Sequence, residues 1–228
     1  MEALRDTDVP VPRVRLSCED ADVIGAPFYL MDEVDGVVLR RRDQVARIGE
    51  QDRADLGLAL VDTLAALHEV SYAAVGLSGL GRPDGYLTRQ IDRWERQFFA
   101  VTDRDPVMAR EIVAALRRSQ PATHSSSIVH GDFRIDNVMV DRERPGTILA
   151  VLDWEMATLG DPLADLGMLA MFWDEPGRPF NPITGGLTAF PGFGSVSRLV
   201  ERYAERRQLD VGQIGWYLCF SQFKLAVI

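Results

Sequence analysis

The residues best suited to chemistry lie in one short stretch, IVHGDFRIDN at 128–137, and in the LDWE that follows at 152–155. Asp132 falls between two strand-like stretches, and Asn137 follows five residues later at the start of the next strand. Asp153 ends the strand after that. An amide oxygen and a carboxylate are hard oxygen ligands of the kind that suits Mg²⁺.

A β-hairpin is needed to bring the two candidate ligands together. Pairing of residues 137–141 with residues 148–152 would place Asn137 and Asp153 at the same end of that hairpin. The metal would then hold phosphate oxygens, while Asp132, close by but off the metal, could accept a proton from an attacking hydroxyl. Positioning, charge neutralisation and orientation of the nucleophile are the requirements of phosphoryl transfer. Taken singly, Asn137 and Asp153 are equally compatible with turn and cap chemistry.

The elements around this hairpin follow from hydrophobic periodicity. Apolar residues at spacings of three and four predict a helix over 43–69, and this helix buries an ordinary core face. Its core positions are Leu56, Leu60, Leu64 and Leu67. Further helices are predicted at 86–100 and from Pro106 to about 118, and the stretches SIVH, NVMVD and ILAVLD predict strands.

The C-terminal third predicts helices at 161–172, at 195–207 and from about 211 onwards. Asp161 before Pro162 has the form of an N-cap followed by proline at the first helical position, so we expect Asp161 and Asp165 to be mainly structural. The last helix is still apolar at Ile228, which predicts that it is incomplete there.

Composition restricts the class of protein. The chain has 228 residues, 46% of them hydrophobic and 26% charged, as expected for a globular domain. Its net charge of −9 argues against a nucleic-acid partner, and no apolar run reaches the length of a membrane span. The N-terminus shows no signal peptide, and Cys18 and Cys219 favour reduced thiols in the cytoplasm.

The spacing H-x-D-x-x-x-x-N resembles the catalytic loop of kinases. With Gly131 after the histidine and DWE at 153–155, it is similar to the aminoglycoside phosphotransferase-like family. The stretches GRPDGYLTRQIDRW, LAVLDWEMATLGDPLADLG and WYLCFSQFKLAVI resemble the branch linked to acyl-CoA dehydrogenases. The resemblance implies an α+β, protein-kinase-like fold that is mostly the helical C-terminal lobe. Residues 1–36 would be a remnant of the N-terminal lobe sheet with its hinge, and residues 37–228 the helical lobe.

The same resemblance implies roles for individual residues. Asp132 corresponds to the catalytic base, and Arg134 falls where it could contact the transferred phosphate. Asn137 and Asp153 correspond to the magnesium ligands, with ATP as the phosphate donor.

Two further groups of residues are implied for binding. The stretch MDEVDG at 31–36 resembles the hinge, where backbone groups of Asp32 and Val34 would bind adenine. Candidates for the acceptor site lie on the helix at 86–100; they are Arg89, Gln90, Trp94 and Gln97. Mixed charges on the helices at 86–118 favour an anionic or neutral small-molecule hydroxyl acceptor over a polycationic antibiotic, and the resembled branch implies a hydroxyacyl-CoA.

The stretch before the hinge departs from the family pattern. It has no lysine to hold the α- and β-phosphates and no Gly-rich phosphate loop; Lys224 is the one lysine among 25 basic residues. The N-terminal lobe is therefore expected to be largely absent, leaving an apolar face through which the chain could self-associate. Three hypotheses follow: a small-molecule kinase, a non-catalytic kinase-like binding or scaffold module, or a fragment without independent function.

Overall fold

The computed structural model describes residues 1–101, 107–123, 125–175, 177 and 181–228. Helices and short antiparallel strands are mixed along the described chain. The helices are α1 (Arg42–Ala46), α2 (Glu50–Glu69), α3 (Tyr86–Val101), α4 (Val107–Arg118), α5 (Pro162–Met171), α6 (Val196–Arg207) and α7 (Ile214–Val227). The helix predicted over 43–69 is divided, because Gly49 is extended and serves as the N-cap of α2. Pro106 lies outside the described residues.

The strands form three antiparallel pairs within the described residues. They are β1 (Val14–Cys18), β2 (Phe28–Met31), β3 (Ser127–Val129), β4 (Val138–Val140), β5 (Ile148–Val151) and β6 (Thr158–Gly160). Strand β1 pairs with β2, β4 with β5, and β3 with β6. The β4–β5 hairpin is the one that the sequence predicts, whereas β6 was not predicted.

The core is centred on α2, which packs against α6 and β3. Its four predicted core leucines are fully buried, which confirms the predicted face; they are Leu56, Leu60, Leu64 and Leu67. Burying each such side chain contributes roughly 1.5–3 kcal/mol to folding. Helix α5 packs against α7, and both lie behind the loop that carries Asp132.

The start of α5 has the cap that the sequence predicts. The Asp161 side chain accepts a hydrogen bond from the Leu163 amide at 3.0 Å, and Pro162 occupies the first turn. Tyr217 and Thr123 donate to the other Asp161 oxygen at 2.9 and 3.0 Å. The cap therefore joins α5 to α7 as well as beginning the helix.

Residues 1–36 divide into two parts with different surroundings. Leu4 and Val9 are buried in the main core, and the Pro10 carbonyl accepts from the Val151 amide at 2.8 Å. The β1–β2 hairpin, by contrast, exposes apolar side chains, including Leu16, Tyr29, Leu30 and Met31. No helix in the described part of the chain has the length and apolarity needed to cross a bilayer.

Candidate active site

The β4–β5 hairpin brings Asn137 and the LDWE segment together. Val138 pairs with Val151, and one step further the Leu152 amide donates to the Asn137 carbonyl at 2.8 Å. Because Asp153 directly follows Leu152, the two residues proposed as metal ligands are neighbours across the end of the hairpin. The sequence prediction placed them there for the same reason.

The side chain of Asn137 is oriented by Asp132. Its amide nitrogen donates to the Asp132 carbonyl at 2.8 Å and to the Asp132 carboxylate at 3.0 Å. Since both hydrogens of the amide point to Asp132, the Oδ1 atom of Asn137 faces away from it and has no partner among the described residues.

Asp153 stands in the left-handed region at φ 62° and ψ 61°, a conformation uncommon for residues other than glycine. Its carboxylate is exposed and makes no hydrogen bond or ion pair within the described residues. Asn137 Oδ1 and the Asp153 carboxylate are thus two free, hard oxygen donors that fit Mg²⁺. No group of three or more His, Cys, Asp or Glu side chains gathers for a metal in the described ranges.

His130 connects the Asp132 loop to the Asp153 segment. The ring is fully buried, and Nε2 lies 2.8 Å from the Leu152 carbonyl, which can only accept. Nε2 therefore carries the proton, and Nδ1 accepts from the Asp132 amide at 3.3 Å. This neutral tautomer, assigned from its partners, fixes the backbone at both Asp132 and Leu152.

Gly131 adopts a backbone that other residues rarely adopt. Its φ is +84°, and a Cβ there would lie 2.8 Å from the Met156 carbonyl oxygen. The buried Asp165 carboxylate accepts from the His130 amide at 2.5 Å and from the Gly131 amide at 2.9 Å. Asp165, expected from sequence to be mainly structural, therefore shapes the loop directly.

Asp165 is in turn held by His68 and Tyr203. His68 Nε2 lies 3.3 Å from Asp165, and the Tyr203 hydroxyl lies 2.7 Å from His68 Nδ1. Because a carboxylate only accepts, Nε2 donates to Asp165 and Nδ1 accepts from Tyr203. Burial lowers the pKa of His68, so the imidazole is neutral. Burial alone would raise the pKa of Asp165, but the hydrogen bonds from His68 and the Gly131 amide outweigh it and lower the pKa.

Arg134 lies between two carboxylates. Its Nε is 3.5 Å from Asp132 and 3.2 Å from Asp136, distances of ion pairs, although neither contact has hydrogen-bond geometry. The guanidinium carbon lies 5.0 Å from the centre of the Phe172 ring. Burial raises the pKa of Asp136, with the Arg134 charge acting in the opposite direction. Arg134 is therefore adjacent to Asp132 and retains guanidinium hydrogens for a further acceptor.

A cleft of about 610 Å³ opens beside Asp153. It is lined by Met1, Tyr29, Met31, Leu152, Asp153, Trp154 and Glu155. Tyr29 and Met31 alternate on β2 and present one face of the β1–β2 hairpin to this cleft. Sequence reasoning missed Tyr29, Met31 and Trp154 as lining residues; the period-two pattern of FYLM was the available signal.

The predicted hinge residues lie next to this cleft. The Asp32 carboxylate pairs with Arg15 through two hydrogen bonds of 2.6 and 2.7 Å, and its amide donates to the Arg13 carbonyl at 2.9 Å. The Val34 carbonyl accepts from Gly36 at 3.0 Å. The Asp32 carbonyl and the Val34 amide have no partner within the described ranges, so they are available to a ligand.

The predicted acceptor residues on α3 have mixed surroundings. Arg89 donates to the carbonyls of Arg82 and Asp84, and so binds the preceding loop. Trp94 is buried, whereas Gln97 is exposed and Gln90 half-buried. Lys224, which sequence reasoning did not select, places its ammonium 5.4 Å from the Trp94 ring centre and 2.8 Å from the Gly131 carbonyl. Its spacing of seven from buried Tyr217 was the signal that it faces inward.

Comparison with known proteins matches this geometry to a family. The profile of the phosphotransferase enzyme family (APH) matches residues 1–199. The chain belongs to this family. It is 35% identical over 234 residues to acyl-CoA dehydrogenase family member 11 of Gallus gallus, a match that covers 100% of this chain and 30% of that protein. The chain therefore spans less than a third of that relative, and the resemblance to the acyl-CoA dehydrogenase-linked branch is confirmed.

Solved structures confirm the fold class. A candidate aminoglycoside phosphotransferase from Ralstonia eutropha superposes with a TM-score of 0.88 at 34% identity, covering 99% of this chain and 69% of that one. An aminoglycoside phosphotransferase from Streptomyces rimosus, solved in complex with ADP and streptomycin, gives 0.60 at 18% identity, covering 98% and 79%. The kinase-like α+β fold is thereby shown, and the few strands fit a reduced N-terminal sheet.

Proposed function

We propose that this family member binds ATP with Mg²⁺ and transfers the γ-phosphoryl group to the hydroxyl of a small molecule. The observation that carries the proposal is the Asp132–Asn137–Asp153 arrangement. The Asn137 amide donates to the Asp132 carboxylate at 3.0 Å, which leaves the Asn137 oxygen free, and the Leu152 amide donates to the Asn137 carbonyl at 2.8 Å, which makes Asp153 the next residue along the opposite strand. This arrangement supports Asp132 as the proton acceptor and Asn137 and Asp153 as the metal ligands, with Asp153 at the edge of the cleft.

The proposed reaction is an in-line displacement. Asp132 accepts the proton of the acceptor hydroxyl as its oxygen forms a bond to the γ-phosphorus, and the bond from that phosphorus to the ADP oxygen breaks. Asn137 and Asp153 would hold Mg²⁺, which when bound neutralises phosphate charge. Arg134 would contact the transferred phosphate with its remaining hydrogens, since a guanidinium suits phosphate oxygens. The products are ADP and the phosphorylated acceptor.

The adenine ring would bind at the hinge. The free Asp32 carbonyl can accept from an exocyclic amine, and the free Val34 amide can donate to a ring nitrogen. Tyr29 and Met31 would contact the nucleotide from the β1–β2 side of the cleft. The Arg15–Asp32 pair leaves the Asp32 carboxylate neutralised, which suits the approach of an anionic nucleotide.

For the acceptor we propose an anionic or neutral molecule, with a hydroxyacyl-CoA as the favoured class. The exposed faces of α3 and α4 carry both charge signs, and Arg117 pairs there with Asp92 and Glu95 at 2.7 and 2.6 Å. Such a surface offers no excess of carboxylates for a polycation. The name of the Gallus gallus relative, an acyl-CoA dehydrogenase family member, supports the same class.

A second candidate function is a non-catalytic nucleotide-binding module. Residues 1–31 contain no lysine that could hold the α- and β-phosphates. On the catalytic proposal, turnover by these 228 residues is expected at least about a hundredfold below that of a homologue that has such groups, because phosphate positioning is incomplete. Binding and turnover must therefore be measured separately.

Calorimetric titration with ATP and Mg²⁺ tests the binding site. We expect micromolar affinity for the wild type and a loss of about tenfold or more, equal to about 1.4 kcal/mol, in Asp153→Asn. Asp62→Asn is the matched control, because this carboxylate on α2 pairs with Arg202 on α6 at 2.8 Å and lies in neither the hinge nor the cleft. Equal affinity in all three proteins would contradict the metal site.

Turnover is then measured with Asp132→Asn, which keeps the size of the side chain and removes the proton acceptor. We expect phosphoryl transfer to fall at least about a hundredfold, the usual contribution of a general base. Binding of ATP without any Mg²⁺-dependent turnover in the wild type would favour the non-catalytic module.

A further inference from the structure

The one lysine of the chain is buried beside the catalytic loop. Lys224 lies on α7 with 6% exposure, and its Nζ donates to the Gly131 carbonyl at 2.8 Å. Desolvating an ammonium group costs several kcal/mol unless it is compensated. A methionine or leucine would fill the same place without the cost of desolvating a charge. The presence of a lysine here therefore indicates a functional role for its ammonium group.

The bond from Lys224 fixes one particular peptide group. In a trans peptide the carbonyl and the amide hydrogen point in opposite directions. The Gly131 carbonyl points to Lys224, and the Asp132 amide on the other side donates to His130 Nδ1 at 3.3 Å. The plane of the Gly131–Asp132 peptide is therefore held from both sides, which sets the direction in which the Asp132 side chain leaves the backbone.

The same hydrogen bonds continue to the metal-ligand segment. His130 Nε2 donates to the Leu152 carbonyl at 2.8 Å, and Leu152 precedes Asp153. An unbroken series of bonds thus runs from Lys224 through the Gly131–Asp132 peptide and His130 to Leu152. A donor on α7 is coupled in this way to both carboxylates of the site.

Charged groups from three neighbouring elements act on Lys224. Burial lowers its pKa; the carboxylates of Asp165 on α5 and Asp132 on the loop raise it, and Arg93 on α3 lowers it. The Trp94 ring on α3 lies 5.4 Å from Nζ and adds a favourable contact for the cation. Lys224 therefore joins the candidate acceptor helix to the loop that carries the base.

We propose that Lys224 is a positioning residue for phosphoryl transfer, which fixes the Gly131–Asp132 peptide so that the Asp132 carboxylate faces the acceptor hydroxyl. The inference rests on the proposed function for its kinetic consequence, but its structural consequence can be measured without turnover. Lys224 does not contact the reacting atoms. Its effect is on the direction of Asp132, and a displacement of about 1 Å in such a group can cost about a hundredfold in rate.

The test compares four forms of the full chain: wild type, Lys224→Met, Lys224→Arg and Phe220→Leu. Phe220→Leu is the matched control, because Phe220 is buried on the same helix and stacks on Trp216, and its ring contacts no aromatic ring of the loop within the described residues. Hydrogen–deuterium exchange of peptides covering 128–137 reports on the loop without catalysis. Initial rates of phosphoryl transfer give kcat and the KM for ATP.

We expect Lys224→Met to speed exchange of the loop at least about tenfold and to lower kcat by about ten- to a hundredfold, with the KM for ATP within about threefold of wild type. Lys224→Arg, which keeps the charge and the donor, should show loop exchange and kcat close to those of the wild type. Phe220→Leu should lower the melting temperature while loop exchange and kcat stay within about twofold.

Three results would overturn the inference. The first is loop exchange in Lys224→Met at the wild-type rate, and the second is the same loss of loop protection and kcat in Lys224→Arg as in Lys224→Met. The third is a fall in kcat in Phe220→Leu equal to that in Lys224→Met. A wild type without turnover would contradict the proposed function instead, and exchange alone would then decide the role of Lys224. If Lys224→Met does not fold, Lys224→Gln takes its place with the same results required.

Discussion

The Asp132 loop, which is hydrogen-bonded through His130 to Leu152 at the cleft, and the β1–β2 hairpin, which lines that cleft with Tyr29 and Met31, are stabilised in opposite ways. The loop donates hydrogen bonds to Asp165 on α5 and to the Leu152 carbonyl, and it accepts one from Lys224 on α7. Its His130 and Phe133 side chains are fully buried. The hairpin has two strands, and the directly opposed Leu16 and Leu30 are 49% and 54% exposed. An isolated two-stranded hairpin is only marginally stable in water.

This difference in stabilisation suits the Asp132 loop and the β1–β2 hairpin to different roles. On the proposed function, the groups that meet the reacting atoms lie on the Asp132 loop and the Leu152–Asp153 segment, which are tied to the core by hydrogen bonds. The hairpin that would contact the adenine side is free to adjust, because few buried contacts resist its movement. The proposed function needs both properties, since a nucleotide would have to enter and leave while Asp132 keeps its direction.

The largest effect is expected from Asp165→Asn. The backbone amides of His130 and Gly131 donate to the Asp165 carboxylate. The asparagine side chain would replace one of the accepting oxygens by an NH₂ donor, which leaves buried donors without an acceptor. We expect a loss of about 4 kcal/mol in the free energy of unfolding, measured by urea denaturation at pH 7. Glu201→Gln, an exposed ion-pair partner of Arg198, should change it by less than about 0.5 kcal/mol. Similar losses in both variants would contradict the contrast between loop and surface.

The second prediction compares one substitution in two places. Leu64→Ala on α2 removes a fully buried side chain and should cost about 3 kcal/mol. Leu30→Ala on β2 removes a side chain that is 54% exposed and should cost less than about 1 kcal/mol. Denaturant titrations of both variants, at a protein concentration at which the chain is monomeric, measure the difference. A cost above about 2 kcal/mol for Leu30→Ala would mean that the hairpin is covered in solution.

The same hairpin face tests the proposal that the chain self-associates. Leu16 and Leu30 form an apolar patch, and a second copy is the occupant we propose for it. Sedimentation of the wild type should show a concentration-dependent dimer that Leu30→Glu abolishes. A strictly monomeric wild type would contradict that proposal and leave the site unaffected.

The smallest effect concerns pH. His68 has a pKa lowered by burial, so the unfolded chain binds a proton that the folded chain does not. Stability from this residue is therefore present above the unfolded pKa of about 6.5 and is lost as pH falls below it, with a slope of up to about 1.4 kcal/mol per pH unit. Unfolding titrations between pH 7 and 5 should show this slope in the wild type and a shallower one in His68→Gln.

Much of the site geometry was predictable because it depends on local spacing. A hairpin with a fixed register must bring Asn137 next to Leu152, and the leucine spacing in α2 requires one buried face. The contacts of Asp165, His68 and Lys224 could not be predicted, since they join residues separated by 34 to 97 positions. Periodicity shows that such a residue faces inward, but not which loop it meets. The break at Gly49 was missed because the apolar pattern continues across it.

Because Lys224 is buried, proteolytic cleavage after this residue can be used to measure local opening of α7. A protease that cuts only after lysine has a single site in these 228 residues, at Lys224. The Lys224 side chain is buried against Trp94 on α3 and the Asp132 loop. Cleavage in the native state requires the end of α7 to open. Where opening and closing are fast relative to cleavage, the rate at which the last four residues are released reports the fraction of molecules in the open state. Added nucleotide that steadies the loop would slow that release, which turns a digestion experiment into a binding assay.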